Sequence, residues 1–285
     1  MFQINWKLKA LLYKIFIFFN LKKIFYLTQK YVTKRSRINI QNINENWINH
    51  AENVEKFECK NILEIGAGKS LEQNIYLAYL FNDEVNQTAI DINRMLDFQL
   101  FNDASKKISN LLNKTYKGSI KNLDDLSVKY NIQYMAPFSL DELVNAGVKF
   151  DMCISTTTLE HFSVEDLKVF LKKIDIVLKG KQLISSVIDY SDHYAHTDNK
   201  ITKLNFLKFN EATWEKYNNK YLFQNRLRHQ DYRNLFRDYN FNIIKEKKGD
   251  MLERIENLSN EFDIKNEETF LSWGYYLISR KNNTI

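Results

Sequence analysis

Between residues 60 and 190, short apolar runs alternate with stretches of helical spacing. The first run, residues 61–65, leads into Gly66-Ala67-Gly68, after which Leu71, Ile75, Ala78 and Phe81 recur at helical intervals. That pattern predicts a strand, a tight turn and a helix. Thr88 to Asp91 predicts a second strand ending in a carboxylate, and Ile132 to Pro137 a third. Ser139 and Glu142 have the spacing of a capping box and open a short helix. Phe150 to Ser155 predicts a buried fourth strand. Ser163 and Asp166 then cap a helix over 164–178 that Gly180 ends, and Gln182 to Asp189 predicts a fifth strand. Phe241–Lys247 and Phe270–Ser279 read as two further strands. Strands alternating with helices imply an α/β fold with a mostly parallel sheet, whose ligands sit at the strand carboxyl ends.

Upstream the pattern is different. Residues 6–32 mix lysines with Trp6, Leu8, Leu11, Leu12, Ile15, Phe16, Phe18, Phe19, Ile24 and Phe25. Lys14, Lys22 and Lys23 interrupt the apolar stretch well short of the ~20 residues a membrane span needs. No small-residue cleavage site follows, so a signal peptide fits badly. Two readings remain: an interfacial helix with lysines on anionic headgroups, or an extra helix packed on the domain with solvated lysines. Residues 1–44 are therefore expected as a basic amphipathic extension, and 45–285 as the main domain.

Charge sharpens this division. The chain has 285 residues, 41 basic and 35 acidic side chains and a net charge of +6. Seven lysines and two arginines with no acid fall in residues 1–44, giving +9; the remainder holds 32 basic and 35 acidic groups, or −3. A nucleic-acid-binding domain should carry its basic face on its folded body, and this one does not. Cys59 and Cys153 lie far apart and offer neither a disulfide framework nor a paired metal spacing.

The glycine turn excludes two phosphate-binding motifs. A P-loop needs glycine where Leu63 stands, and the dinucleotide fingerprint needs glycine where Leu71 stands. What survives is Glu64 two residues before Gly66-x-Gly68, with Asp91 ending the next strand, where a carboxylate accepts both hydroxyls of a ribose.

These residues, with Cys153-Ile-Ser-Thr-Thr-Thr-Leu-Glu-His-Phe162, resemble the class I S-adenosylmethionine-dependent methyltransferases, in the small-molecule branch with a Leu-Glu-His motif after the fourth strand. The resemblance spans about residues 45–280. It implies a Rossmann-like seven-stranded sheet, helices on both faces, the last strand antiparallel and inserted next to the sixth. It implies S-adenosyl-L-methionine as cofactor, with Glu64, Gly66 and Gly68 at its methionine portion and Asp91 at its ribose. Ile92 and the turn at Phe138 would cover adenine, and Thr156 would close the pocket. The turn after the third strand reads Ala136-Pro137-Phe138-Ser139, without the acid many relatives place there. The segments 188–198, 205–209 and 224–236 also resemble a group of bacterial methyltransferases of surface-glycan biosynthesis.

The chemistry-bearing cluster is Asp189, Asp192, His193 and His196, directly after the fifth strand. A sugar hydroxyl is a poor nucleophile and gains from a base; His193 and His196 suit that role, with Asp189 or Asp192 orienting an imidazole. No metal is assigned, although two histidines three apart beside carboxylates leave a divalent ion as an alternative, and a polar loop as another. Glu160 and His161 read as fixing the loop over the cofactor. His50 and His229 have no evident partner. About 195–231 the chain reads as an insertion or lid rich in aromatics: Phe206, Phe209, Trp214, Tyr217, Tyr221 and Phe223 stack on an acceptor or form a satellite core. Arg226 and Arg228 suit a nucleotide-sugar diphosphate, or are solvated, or pair with Asp231.

The leading expectation is O-methylation of a sugar in a nucleotide- or lipid-linked glycan, in the cytoplasm or peripherally at the inner membrane face through residues 6–37. The acceptor is a small molecule or glycan, not nucleic acid. A quinone or lipid acceptor at the membrane is the first alternative, and a non-catalytic binding module of the same fold the second.

Overall fold

A computed structural model describes residues 3–21, 24, 27–28 and 38–280. Its centre is one seven-stranded sheet: β1 (Asn61–Ile65), β2 (Asn86–Ile90), β3 (Ile132–Met135), β4 (Phe150–Thr156), β5 (Leu178–Asp189), β6 (Phe241–Lys248) and β7 (Trp273–Arg280). The strand order is β3-β2-β1-β4-β5-β7-β6, with β7 antiparallel to both its neighbours. This is the Rossmann-like sheet that the resemblance implies. The order reverses between β1 and β4, so the carboxyl ends of these strands flank the crevice where such sheets bind ligands.

Two cores follow from strand alternation, because successive side chains point to opposite faces. Ile62 joins one cluster and Leu63 the other; Met152 and Ile154 join the first, Cys153 the second. The first face is covered by α2 (Glu45–Lys56), α3 (Glu72–Phe81), α4 (Phe98–Leu111) and α5 (Leu123–Tyr130), through Val54, Ile75, Phe101 and Leu126. The second is covered by α6 (Leu140–Ala146), α7 (Val164–Val177) and, after the short α8 (Glu211–Trp214), by α9 (His229–Asp238). The capping box on α6 is formed: Glu142 N–H donates to Ser139 Oγ, and Ser139 N–H donates to the Glu142 carboxylate at 2.7 Å. Both cysteines are buried and free.

Several elements differ from the sequence expectation. The helix α7 stops at Val177, and β5 starts at once with Leu178, so Gly180 lies inside the strand with φ +59° instead of ending the helix. Residues 267–270 form a 3-10 turn, and β7 begins only at Trp273.

The N-terminal helix α1 (Trp6–Phe18) is packed on the insertion by one face and free on the other. Trp6 and Ala10 enter a third cluster with Tyr194, Phe206 and Trp214. Trp6 N–H donates to the Asp198 carboxylate at 2.9 Å, at the end of the helix where the dipole favours an anion. Lys9 is buried, its ammonium donating to Thr197 Oγ1 at 2.9 Å, and so is neither solvated nor available to a headgroup. The opposite face exposes Leu8, Leu11, Ile15, Phe18 and Phe19. Lys22, Lys23, Lys30, Lys34, Arg35 and Arg37, which complete the expected basic leader, lie outside the described residues. Among the described residues, no helix is long and apolar enough to cross a membrane.

Candidate active site

Glu64 is the penultimate residue of β1, paired across to Ala89 on one side and Ile154 on the other. It is buried, and among the described residues one carboxylate oxygen finds no hydrogen-bond partner. Burial raises its carboxyl to about 8, a hydrogen bond with Asn74 opposes this, and the Asp91 charge adds to it. A carboxyl held neutral in an apolar pocket becomes charged when a cation arrives, because the opposite charge restores what desolvation removed.

Gly66 and Gly68 follow with φ of +77° and +72°, the left-handed region that side chains adopt at a cost. Gly66 N–H donates to the Ile90 carbonyl at 3.0 Å, which ties the turn to β2. A Cβ on Gly66 would lie 2.3 Å from Thr158, whereas one on Gly68 would meet open space. The helix α3 then opens at Leu71 without a side-chain cap, leaving its first N–H groups to a ligand or solvent. Asp91, one residue past β2, is buried; desolvation raises its carboxyl, and backbone N–H groups of Asn93 and Gly68 partly offset this. Ile92 stands exposed at the rim, and Phe138 N–H donates to the Asp91 carbonyl at 2.9 Å.

Thr156, the last residue of β4, has its hydroxyl 3.1 Å from Nε2 of His50. Nδ1 of the same imidazole lies 2.8 Å from Ser185 Oγ, which also meets Asn53 and Tyr275. Burial lowers His50 to about 3, so the ring is neutral and its two nitrogens divide one donor and one acceptor between Thr156 and Ser185. α2 thus supplies a polar network under the pocket that sequence reasoning left without a partner.

The second half of the site is built by the adjacent carboxyl ends of β4 and β5, where Thr156 pairs with Val187. Asp189 Oδ2 lies 3.3 Å from His193 Nε2, and its Oδ1 accepts from Ser191 N–H and Oγ at 2.8 and 2.6 Å. Burial alone would raise the Asp189 carboxyl, but the hydrogen bonds from His193 and Ser191 outweigh it and hold the group below its ordinary value. The His193 and His196 rings stack at 5.1 Å, and the His193 and His161 rings meet edge-on at 5.0 Å. His161 Nδ1 donates to the Phe223 carbonyl at 2.6 Å. Glu160 is 1% exposed, and neither carboxylate oxygen has a side-chain hydrogen-bond partner among the described residues. Burial drives its carboxyl well above the usual range, its own backbone N–H and that of Asp189 partly oppose this, and the Asp189 charge adds to it.

The structure separates the four residues named after the fifth strand. Asp189 and His193 are paired, while His196 stands exposed beyond them. Asp192 orients neither imidazole: its oxygens accept from Tyr194 N–H at 2.8 Å and Asn205 Nδ2 at 3.1 Å, in a fully buried position. Arg226 and Arg228 are likewise turned inward. Arg228 donates to the carbonyls of Thr269, Tyr190 and Leu271, and Arg226 to those of Phe206 and Phe209 and to Glu211 and Glu261. Neither guanidinium is left for a diphosphate, neither is solvated, and Asp231 caps the Arg228 backbone N–H instead of its side chain. Phe206, Phe209, Trp214 and Tyr217 form the satellite core with Trp6.

Two residues between these arginines and the site were not singled out from sequence. Asn225 Nδ2 donates to the carbonyls of Leu159 and Phe162 at 3.0 and 2.9 Å, and its N–H to the Glu160 carbonyl. Gln224 accepts from His193 N–H at 3.2 Å and donates to the Ser191 carbonyl at 2.5 Å. Adjacent amides of the insertion therefore fasten both chemistry-bearing loops.

Neither any protein family nor any curated protein sequence matches the chain. Solved structures do. A protein of Nostoc punctiforme aligns over 83% of this chain and 56% of its own, with 13% identity and a TM-score of 0.47. TehB from Haemophilus influenzae aligns over 90% of this chain and 66% of its own, with 12% identity and a TM-score of 0.46. The chain thus spans less than two thirds of these two proteins. The 1,6-didemethyltoxoflavin-N1-methyltransferase of Burkholderia thailandensis, solved with bound 1,6-didemethyltoxoflavin and S-adenosylhomocysteine, aligns over 96% of this chain and 89% of its own, with 12% identity and a TM-score of 0.48. Fold alone does not carry function; the side chains of the site do.

Proposed function

We propose that the chain is an S-adenosylmethionine-dependent methyltransferase that methylates a sugar hydroxyl of a nucleotide- or lipid-linked glycan at a membrane surface. The observation that carries this reading is the line of groups along one sheet edge. Glu64, the two left-handed glycines and Asp91 face the switch point, and the paired Asp189 and His193 stand two strands away. The residues fit the cofactor. Glu64 offers a buried unpartnered oxygen to its ammonium, Gly68 leaves open space beside the turn, and Asp91 offers a carboxylate to its ribose hydroxyls.

When bound, S-adenosylmethionine supplies a methyl group made electrophilic by the sulfonium. The chain positions the acceptor and handles its proton. With His193 Nε2 held toward Asp189, Nδ1 is the nitrogen left to take a hydroxyl proton, and the Asp189 carboxylate stabilises the imidazolium that forms. With the cofactor bound, the acceptor oxygen positioned by these residues would take the methyl carbon as the carbon–sulfur bond breaks.

The apolar face of α1, with Phe18 83% exposed and Lys7 and Lys14 on the same helix, favours a membrane-borne acceptor. It also favours the second reading, a quinone or lipid acceptor. Titration calorimetry with S-adenosylhomocysteine tests the first step, and absence of binding ends every methyltransferase reading. A labelled-methyl assay on polysaccharide, lipid and small-molecule pools then separates the acceptors: label in the lipid pool alone, resistant to glycosidase, selects the second reading.

A further inference from the structure

The turn after β4 carries a group the proton-transfer scheme does not use. Glu160, His161 and His193 each place one ligand atom so that all three lie within 4.8 Å of one another. Glu160 is buried, with its own backbone N–H and that of Asp189 beside the carboxylate but no side-chain hydrogen-bond partner among the described residues, an arrangement that is unfavourable unless a cation or a proton answers it.

The two imidazoles point to the cation. A metal-binding histidine almost always donates its other ring nitrogen to a carbonyl or carboxylate, which fixes the tautomer and aims the lone pair. His161 Nδ1 is committed to the Phe223 carbonyl at 2.6 Å, leaving Nε2. His193 Nε2 is committed to Asp189 at 3.3 Å, leaving Nδ1. Each ring thus already has its outer partner, and Asn225 anchors the Glu160 carbonyl so that the carboxylate is held by its own backbone.

We propose that Glu160, His161 and His193 form a site for one divalent transition-metal ion, with Asp189 as the outer carboxylate on His193. Two imidazoles and a carboxylate suit zinc, iron(II) or cobalt better than magnesium, calcium or manganese, which prefer oxygen donors. Three protein ligands leave positions open, as in sites where an ion takes a substrate oxygen. On the methyltransferase reading, which this use of the site requires, the open position takes the acceptor hydroxyl and lowers its pKa. Its proton would then leave to solvent, and with the ion bound His193 Nδ1 is a ligand; the base role given above belongs to the ion-free site.

Ion binding is measured on the full chain after chelator treatment, by visible absorption with cobalt(II) alone and by equilibrium dialysis with zinc, without cofactor. One ion per chain is expected, with cobalt d–d bands, and a thousandfold excess of magnesium does not displace it. Glu160→Gln and His193→Ala each weaken cobalt binding at least tenfold while retaining the wild-type circular dichroism. Wild-type protein that binds neither cobalt nor zinc at 100 µM (about a hundred times a micromolar dissociation constant) overturns the site, as does equal binding by both variants. S-adenosylhomocysteine titration of the chelated protein is read separately, so loss of the ion site and loss of the cofactor reading give different results.

Discussion

Thr158 occupies the space that any side chain on Gly66 would need: a Cβ there would lie 2.3 Å from both Oγ1 and Cγ2. The contact joins the glycine turn after β1 to the loop that carries Glu160 and His161, so the two halves of the site are in register through one threonine.

Gly66→Ala therefore meets both an unfavourable φ and a collision, whereas Gly68→Ala meets only the first. The left-handed backbone costs about 1–2 kcal/mol in either variant. Gly66→Ala should lower the melting temperature more than Gly68→Ala and weaken S-adenosylhomocysteine at least tenfold by calorimetry. Thr158→Gly added to Gly66→Ala should recover part of the stability; no recovery would show that the collision is relieved elsewhere.

Glu64 sets a pH dependence whose sign is fixed. Its folded-state carboxyl is raised from 4.5 to about 8. Between those values the native state holds a proton the unfolded state has released, so this group makes stability fall as pH rises from about 4.5 through 8. Glu64→Gln should remove that decline and raise the melting temperature at pH 8, while weakening S-adenosylhomocysteine at least tenfold. A variant less stable than wild type at pH 8 would contradict the buried, uncompensated carboxyl.

The roles on the β5 loop should divide along the observed contacts. His193→Ala should reduce methyl transfer about a hundredfold or more, and Asp189→Asn should do so while leaving S-adenosylhomocysteine affinity within threefold. Asp192→Asn should act first on thermal stability, since its partners are Tyr194 N–H and Asn205. Single-turnover transfer and melting curves on the same samples distinguish these outcomes.

On α1, buried and exposed aromatics should separate stability from surface binding. Trp6→Ala removes a core side chain packed on Tyr217 at 4.6 Å and Phe209 at 5.6 Å, and should cost roughly 3–5 kcal/mol. Phe18→Ser with Phe19→Ser should leave the melting curve unchanged and reduce co-sedimentation with anionic vesicles at least fivefold. Equal pelleting of this variant and wild type would remove the membrane from the proposal.

Much of this was readable in residue order, because local patterns carry it. The switch from alternating strand to helical spacing placed β1 to β5 and α3, and Ser139 with Glu142 marked the start of α6. Gly180 misled because glycine ends helices and bends strands equally well, and only the pairing of Phe150 with Leu178 shows which occurs. Arg226 and Arg228 misled for a different reason. Sequence gives their charge but not their direction, and the carbonyls that hold Arg228 come from residues some 40 positions away. His50 was unreadable on the same ground: its partner Ser185 is 135 residues distant. Glu160 was visible as part of a motif, but its burial without a side-chain partner is a property of packing alone.

The placement of α1 has a mechanical consequence. Its inner face lies on the insertion, and that insertion holds the Glu160 and His193 loops through Asn225 and Gln224. A ligand on the outer face of α1 shifts these loops only as far as it binds one arrangement of the insertion better than another, and any such coupling is reciprocal. On the proposed membrane reading, a surface that captures α1 would bear on the Glu160 and His193 loops through the insertion, without touching either loop itself.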